Sequence, residues 1–257
     1  MKNTVLEKFK KGEKSLGTFN QINSTIAIEC LSQTGLDYVV IDTEHTSFNC
    51  ETAADLIAAA KGSGITPLVR VNDITRCNIL HPLDAGAAGL VVPGLRTVEE
   101  AKKLVSYAKY FPLGERGFCP TREAGFGYAP QGNCSFEEYA KYANSQTLLL
   151  PQCETKQCLE NIEEIVSMDG IDGIFVGPFD LSIALGKPCQ FNDSEVVSGI
   201  KKVLDTCKKY GKIAMVFAAD STVAKSRFAE GFDSVTAGLD AGFYIEAFKK
   251  LVSEATE

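Results

Sequence analysis

Tryptophan is absent from this 257-residue chain and histidine occurs only twice. No run of about 18 uninterrupted apolar residues appears, so an ordinary membrane-spanning helix is excluded. The opening residues, MKNTVLEKFKKGEKS, are charged throughout and lack the apolar middle of a signal peptide. Basic side chains do not predominate: 26 Lys and Arg face 33 Asp and Glu, for a net charge of −7. Nothing in that balance provides a footprint for nucleic acid or for a membrane surface. There is no Cys-x-x-Cys; the nine cysteines are odd in number and scattered, the closest pair being Cys153 and Cys158. They are expected to be reduced thiols of a cytoplasmic protein, mostly in its core, with no disulfide or structural zinc site. Also missing are a Gly-x-Gly-x-x-Gly after the first strand, a P-loop and a Gly-x-Ser-x-Gly elbow. Dinucleotide, ATP and serine-hydrolase chemistry therefore have no carrier.

What is present is a globular balance, 45% hydrophobic and 23% charged. Short β-branched runs alternate with amphipathic stretches along the whole chain. Strands are expected at residues 16–20, 38–42, 66–71, 89–92, 148–152, 173–176, 213–217 and 233–236. Most, such as YVVID, GLVVP and GIFVG, are apolar without polar alternation, which suits parallel strands covered on both faces. Helix starts are marked at Ser24, Thr97, Ser135 and Asp193; Thr97 with Glu100 and Ser135 with Glu138 form capping boxes. Eight strand–helix units in about 250 residues is the arithmetic of an α/β fold of the (β/α)8 TIM-barrel kind, read here as one domain over residues 1–257. No strand carries a lysine in its C-terminal half, so a Schiff-base aldolase or a PLP enzyme would lack its nucleophile. The long irregular stretch at residues 111–134 holds Pro112, Pro120 and Pro130 with Arg116, Arg122 and Tyr128. Its length and composition suggest an active-site loop.

In a barrel the strand C-termini build the active site. Those ends carry Asp42, Glu44 and His45, then Arg70, then Gln152 and Glu154, then Gly177 and Asp180. Glu154 and Asp180 suit a divalent ion that keeps open positions for substrate, but both could equally be helix N-caps. Histidine exchanges protons near neutral pH, so His45 suits a general base, with Asp42 able to orient its ring. His81, in an apolar context, reads as structural. Arg70 ends an apolar strand and must find an anion there, either a neighbouring carboxylate or a developing oxyanion.

With these residues the chain resembles the HpcH/HpaI aldolase family of metal-dependent pyruvate aldolases. The likeness is carried by GLDYVVIDTEHTSF, TPLVRVN, LDAGAAGLVVPGLRTVEEAKKLV, FPLGERG, PQCET and DGIDGIFVGPFDLSIALG, in order over residues 35–186. The resemblance implies a barrel of the phosphoenolpyruvate/pyruvate type that cleaves a 4-hydroxy-2-oxo acid to pyruvate and an aldehyde. The expected substrates are of the 4-hydroxy-2-oxoheptanedioate or 2-keto-3-deoxy sugar acid type. It implies that Glu154 and Asp180 hold Mg²⁺, Mn²⁺ or Co²⁺, and that Gln152 and the backbone around Gly177, Phe179 and Asp180 grip the 2-oxo acid. His45 would be the base, through a water on the ion, with Asp42 and Asp84 orienting it. Arg70 would stabilise the oxyanion and Arg122 would contact substrate. A cytoplasmic homo-oligomer, trimer or hexamer, is implied, with the last helix exchanged between subunits. Two alternatives stay open: an acyl-CoA lyase like citrate lyase β or malyl-CoA lyase, and a non-catalytic metal-binding barrel. The chain departs from the family pattern at Phe179, where a small residue is common, at Glu123 after Arg122, and at Cys153. Glu123 beside Arg122 would weaken binding of an acidic aldehyde and favour a hydroxylated one.

Overall fold

A computed structural model describes residues 3–129 and 132–256. Eight strands, β1 (Ser15–Asn20), β2 (Tyr38–Asp42), β3 (Thr66–Arg70), β4 (Gly89–Val92), β5 (Leu148–Cys153), β6 (Gly173–Val176), β7 (Ile213–Ala218) and β8 (Ser234–Leu239), close into one parallel barrel in chain order. Every expected strand is present. The last runs to Leu239, three residues further than its apolar run indicated.

The barrel explains why the strands read as unbroken apolar runs. Alternate residues point to opposite faces, and here both faces are dry. Tyr38, Val40, Leu68, Leu148, Leu150 and Phe175 fill the interior. Val39, Ile41, Val69, Leu149 and Ile174 pack outward against the helices. The surrounding helices are α1 (Thr4–Lys10), α2 (Thr25–Ser32), α3 (Cys50–Ser63), α4 (Arg76–Ala85), α5 (Val98–Ala108) and α6 (Phe136–Gln146), followed by α7 (Lys156–Glu160), α8 (Ile162–Ser167), α9 (Pro178–Ala184), α10 (Ser194–Lys209), α11 (Ser221–Glu230) and α12 (Asp240–Thr256). Both capping boxes form, at Thr97–Glu100 and Ser135–Glu138, and Ser24 and Asp193 cap α2 and α10. Helix α1 was not expected from its charged sequence. It sends Val5 into the barrel interior, while the Asn3 amide donates to the carbonyls of Ala88 and Gln146.

The stretch at residues 111–134 corrects an expectation. It connects α5 to α6 and β5, and a connection that enters a strand lies at the N-terminal end of the barrel, opposite the strand ends where sites are built. Pro130 lies outside the described residues. Helix α12 is the other departure from a closed outer layer. Its start packs on β1 and β8, but only Asp240 is buried, and Phe243, Tyr244, Ile245, Phe248, Leu251 and Val252 are exposed. Among the described residues no helix is long and apolar enough to cross a membrane.

One close approach tests the interior packing. Gly17 on β1 pairs with Tyr38 on β2, and a Cβ at Gly17 would come within 2.4 Å of the Tyr38 ring. That ring is held by its hydroxyl, which bonds Thr236 at 2.9 Å and Ser234 at 3.0 Å. Gly17→Ala is therefore expected to lower stability by about 1–3 kcal/mol through overpacking. Urea denaturation checks it, a lowered midpoint being the expected outcome.

Candidate active site

Register places the first pair of site residues. Asp42 ends β2 directly opposite Arg70, which ends β3. Arg70 Nε donates to Asp42 Oδ1 at 2.9 Å and Nη2 to Oδ2 at 2.7 Å, a two-pronged ion pair with Asp42 fully buried. Burial alone would push the Asp42 carboxyl up, but the Arg70 guanidinium outweighs that and holds it below the usual aspartate value. Gln21 Nε2 adds a hydrogen bond to Asp42 Oδ2 at 3.2 Å. The Arg70 guanidinium also lies 4.4 Å over the Phe19 ring.

Asp42 does not meet the His45 ring, as had been expected. Its Oδ1 accepts from the backbone N–H groups of Glu44 and His45, at 3.1 and 3.3 Å, and so shapes the turn that carries both. The carboxylate beside the ring is Glu44, whose Oε2 is 3.6 Å from His45 Nε2 and 3.4 Å from Arg70 Nε. Burial raises the Glu44 pKa, against the pull of Arg70 and His45.

Glu154 and Asp180 meet the same site from the β5 and β6 ends. Neither is a cap: Thr155 caps α7 through its own hydroxyl, and Asp180 lies inside the first turn of α9. Glu154 Oε1 accepts from Gly94 N at 2.6 Å and Oε2 accepts from the Gln152 amide. Burial pushes the Glu154 pKa up to about 7, and the neighbouring carboxylates of Asp180 and Glu44 add to that rise. Gln152 Oε1 is buried without a partner. Gly177 fits against this corner because a Cβ there would stand 2.8 Å from Gln152 Nε2 and 3.1 Å from Glu154 Oε2. An inward acceptor with no donor, beside a Glu154 carboxyl whose pKa is raised by burial and by its acidic neighbours, suits a hard dication with open positions. Among the described residues no group of three His, Cys, Asp or Glu forms a complete protein cage.

A cavity of about 290 Å³ opens on these groups. Gln21, His45, Arg70, Gln152, Gly177 and Asp180 line its polar side, and Phe19, Phe175, Phe179 and Phe217 its apolar side. Two expected members are elsewhere. Asp84, expected beside His45, is in the last turn of α4, where its Oδ1 receives Arg116 Nη2 at 2.7 Å. Helices run back from the strand ends, so a last turn lies at the far end of the barrel. Arg122 is exposed on the 111–134 connection at that same end, and Glu123 faces Lys61 and Thr66 there, away from the strand ends that line the cavity. The expected effect of Glu123 on the aldehyde therefore has no basis within one chain. His81 contacts Cys50 outside the barrel. Glu44, Gln21 and Asp240 were not given roles from sequence. Asp240 accepts from Asn20, Gln21 and Ile22 and ties the β1 exit to the β8 exit. All three lie within two residues of a strand end, which was the available signal.

Comparison with known proteins shows the family and agrees with the barrel fold. The family model described as HpcH/HpaI aldolase/citrate lyase matches residues 15–247. A hydroxypyruvate/pyruvate aldolase of Rhizorhabdus wittichii is 34% identical over 98% of both chains. A 2-keto-3-deoxy-L-rhamnonate aldolase of Salmonella dublin is 32% identical over 96% of this chain and 91% of its own. The crystal structure of an HpcH/HpaI aldolase from Desulfitobacterium hafniense superposes with a TM-score of 0.90 at 27% identity, covering 98% of this chain and 96% of that one.

The buried ion pair yields a stability test. Arg70→Met strands the Asp42 charge and is expected to cost about 3–5 kcal/mol in urea unfolding. Adding Asp42→Asn should recover part of that loss, because no uncompensated charge remains. Because the folded pKa of Asp42 is depressed, its contribution is present above the usual aspartate value of 3.8 and fades as pH falls below it. The gap between wild type and the double variant should shrink over that acid range.

Proposed function

The chain belongs to the HpcH/HpaI aldolase/citrate lyase family and is a carbon–carbon lyase of the aldolase kind. From that premise we propose that it cleaves a 4-hydroxy-2-oxo acid reversibly to pyruvate and an aldehyde, with Glu154 and Asp180 holding a divalent ion such as Mg²⁺, Mn²⁺ or Co²⁺. The observation that carries this reading is the buried Glu154 corner, with its raised pKa, the adjoining Asp180 and the unpartnered Gln152 oxygen. When bound, such an ion would act as a Lewis acid that draws charge from the 2-oxo group.

The chain's own residues perform the remaining work. Gln152 and the backbone at Gly177, Phe179 and Asp180 seat the 2-oxo acid. In the direction of synthesis, His45 takes a proton from the methyl carbon of pyruvate, and the electron pair of that C–H bond moves toward the 2-oxo oxygen. The carbon then attacks the aldehyde carbonyl, a carbon–carbon bond forms, and the aldehyde oxygen becomes an alkoxide that Arg70 steadies until the proton taken by His45 is returned to it. Cleavage is the same path reversed. Glu44 Oε2, 3.6 Å from Nε2 of the exposed His45 ring, is the carboxylate nearest that base.

A homo-oligomer follows from the same reading, with residues 1–257 as one barrel domain and its address the cytoplasm. Among the described residues no cysteine is in a disulfide, but only Cys153, Cys158 and Cys207 are buried and the other six are exposed, which corrects the expectation that most lie in the core. The apolar face of α12, with Tyr244, Phe248, Leu251 and Val252 at helical spacing, would pack on a neighbouring copy rather than on its own barrel.

Three measurements test these statements. Pyruvate release from a panel of 4-hydroxy-2-oxo acids should be abolished by EDTA and restored by Mn²⁺. His45→Ala and Arg70→Ala should lose about 10²–10⁴-fold in turnover while Mn²⁺ binding survives; wild-type turnover in either would refute the roles given. Light scattering should find a multiple of the 27.7 kDa chain, reduced to a smaller species by Phe248→Asp.

A further inference from the structure

We propose that the facing rings of Phe179 and Phe217 form the wall that limits the length of the aldehyde partner, so that this site takes short aldehydes. The inference rests on the aldolase reading above and specifies the substrate class of that same site. Phe179 stands at the start of α9 and Phe217 near the end of β7, their centroids 5.9 Å apart in an edge-to-face arrangement at 65°. Each ring has a further aromatic neighbour, Phe217 on the site side and Phe179 on the cleft side. Phe217 rests on Phe19 at 6.0 Å, and Phe179 on Phe191 at 4.8 Å.

The rings stand between two cavities. On one side is the 290 Å³ space beside Arg70, His45 and Asp180. On the other is a cleft of about 690 Å³ between α10 and α11. Pro178, Phe179 and Phe217 line both spaces, so they form the partition. The cleft is apolar near the rings, with Phe191, Val197, Leu204 and Val223 among its walls. Without the partition it could receive an alkyl chain. The site cavity by itself is at the small end of ligand sites. Once a three-carbon 2-oxo acid is seated, an aldehyde of two or three carbons fits, and a longer chain running toward the partition meets the rings. Phe179 is 39% exposed, so truncating it opens space without leaving a sealed void in the core.

The test compares glycolaldehyde with hexanal, each supplied with pyruvate and Mn²⁺, in wild type, Phe179→Ala and Phe217→Leu. The quantity read is the ratio of kcat/KM for hexanal to that for glycolaldehyde. Wild type should favour glycolaldehyde, and the ratio should rise by about tenfold or more in the variants, since each carbon admitted to an apolar space is worth that order. Phe217→Leu decides the matter if Phe179→Ala does not fold. A purely structural role would depress both aldehydes together and leave the ratio unmoved. A smaller rise in every folded variant, or a wild type indifferent to chain length, overturns the wall while leaving the aldolase reading intact. Absence of pyruvate consumption by wild type with any aldehyde overturns the aldolase reading, and the wall with it.

Discussion

Everything in this molecule depends on the dryness of both faces of every strand. The barrel interior is filled by side chains such as Tyr38, Leu68 and Phe175, and the outer faces are covered by helices. A charged group has no place along such a strand unless it is paired, because the cost of desolvating it would go unopposed. Charge is therefore displaced to the rims. At the C-terminal rim it gathers as Asp42, Glu44, Arg70, Glu154 and Asp180. The same constraint gives the rim its chemistry, since partial burial brings carboxylates within reach of one another where water screens them weakly.

Arg70 is the main counterweight among those carboxylates. Its two-pronged bond to the fully buried Asp42 absorbs one negative charge, and its Nε edge is also near Glu44. Glu154 receives less relief: a backbone N–H from Gly94 and the Gln152 amide are its direct donors, and its pKa remains raised. The contrast separates two roles that look alike in sequence. Asp42 is a satisfied carboxylate that holds other groups in position, as its bonds to the Glu44 and His45 backbone show. Glu154 retains a demand for positive charge. That difference is an outcome of which strand ends lie side by side.

Much of the fold was legible because its signals are local or periodic. The apolar runs marked all eight strands, and Thr97 and Ser135 announced their helices through a reciprocal hydrogen-bond pattern contained within four residues. The site was legible to the extent that strand ends could be located, which is why Arg70, Gln152, Glu154 and Asp180 could be named together. Pairing across space was not legible. Whether Asp42 turned to His45 or to Arg70 depended on the β2–β3 register. Helix α1 was missed because its one strongly anchoring apolar residue, Val5, gives no periodic signal among so many charges.

The misplacement of Asp84, Arg116 and Arg122 has a single physical origin, and it is one of parity. In a strand–helix alternation, segments that leave a strand lie at one end of the barrel and segments that leave a helix lie at the other. The 111–134 stretch leaves a helix, so its length and its arginines belong to the N-terminal end whatever their chemistry. There they answer a local need: Arg116, almost wholly buried, is neutralised by Asp84 and lies 4.6 Å over the Tyr110 ring. Glu123 is close enough to Arg116 and Lys61 for both to oppose the rise that burial imposes on its pKa. Residue types that would suit substrate recognition are thus already committed to pairing one another. Composition alone identifies such a cluster as charged and buried; only its place in the alternation decides whether it can face the reacting centre of its own chain.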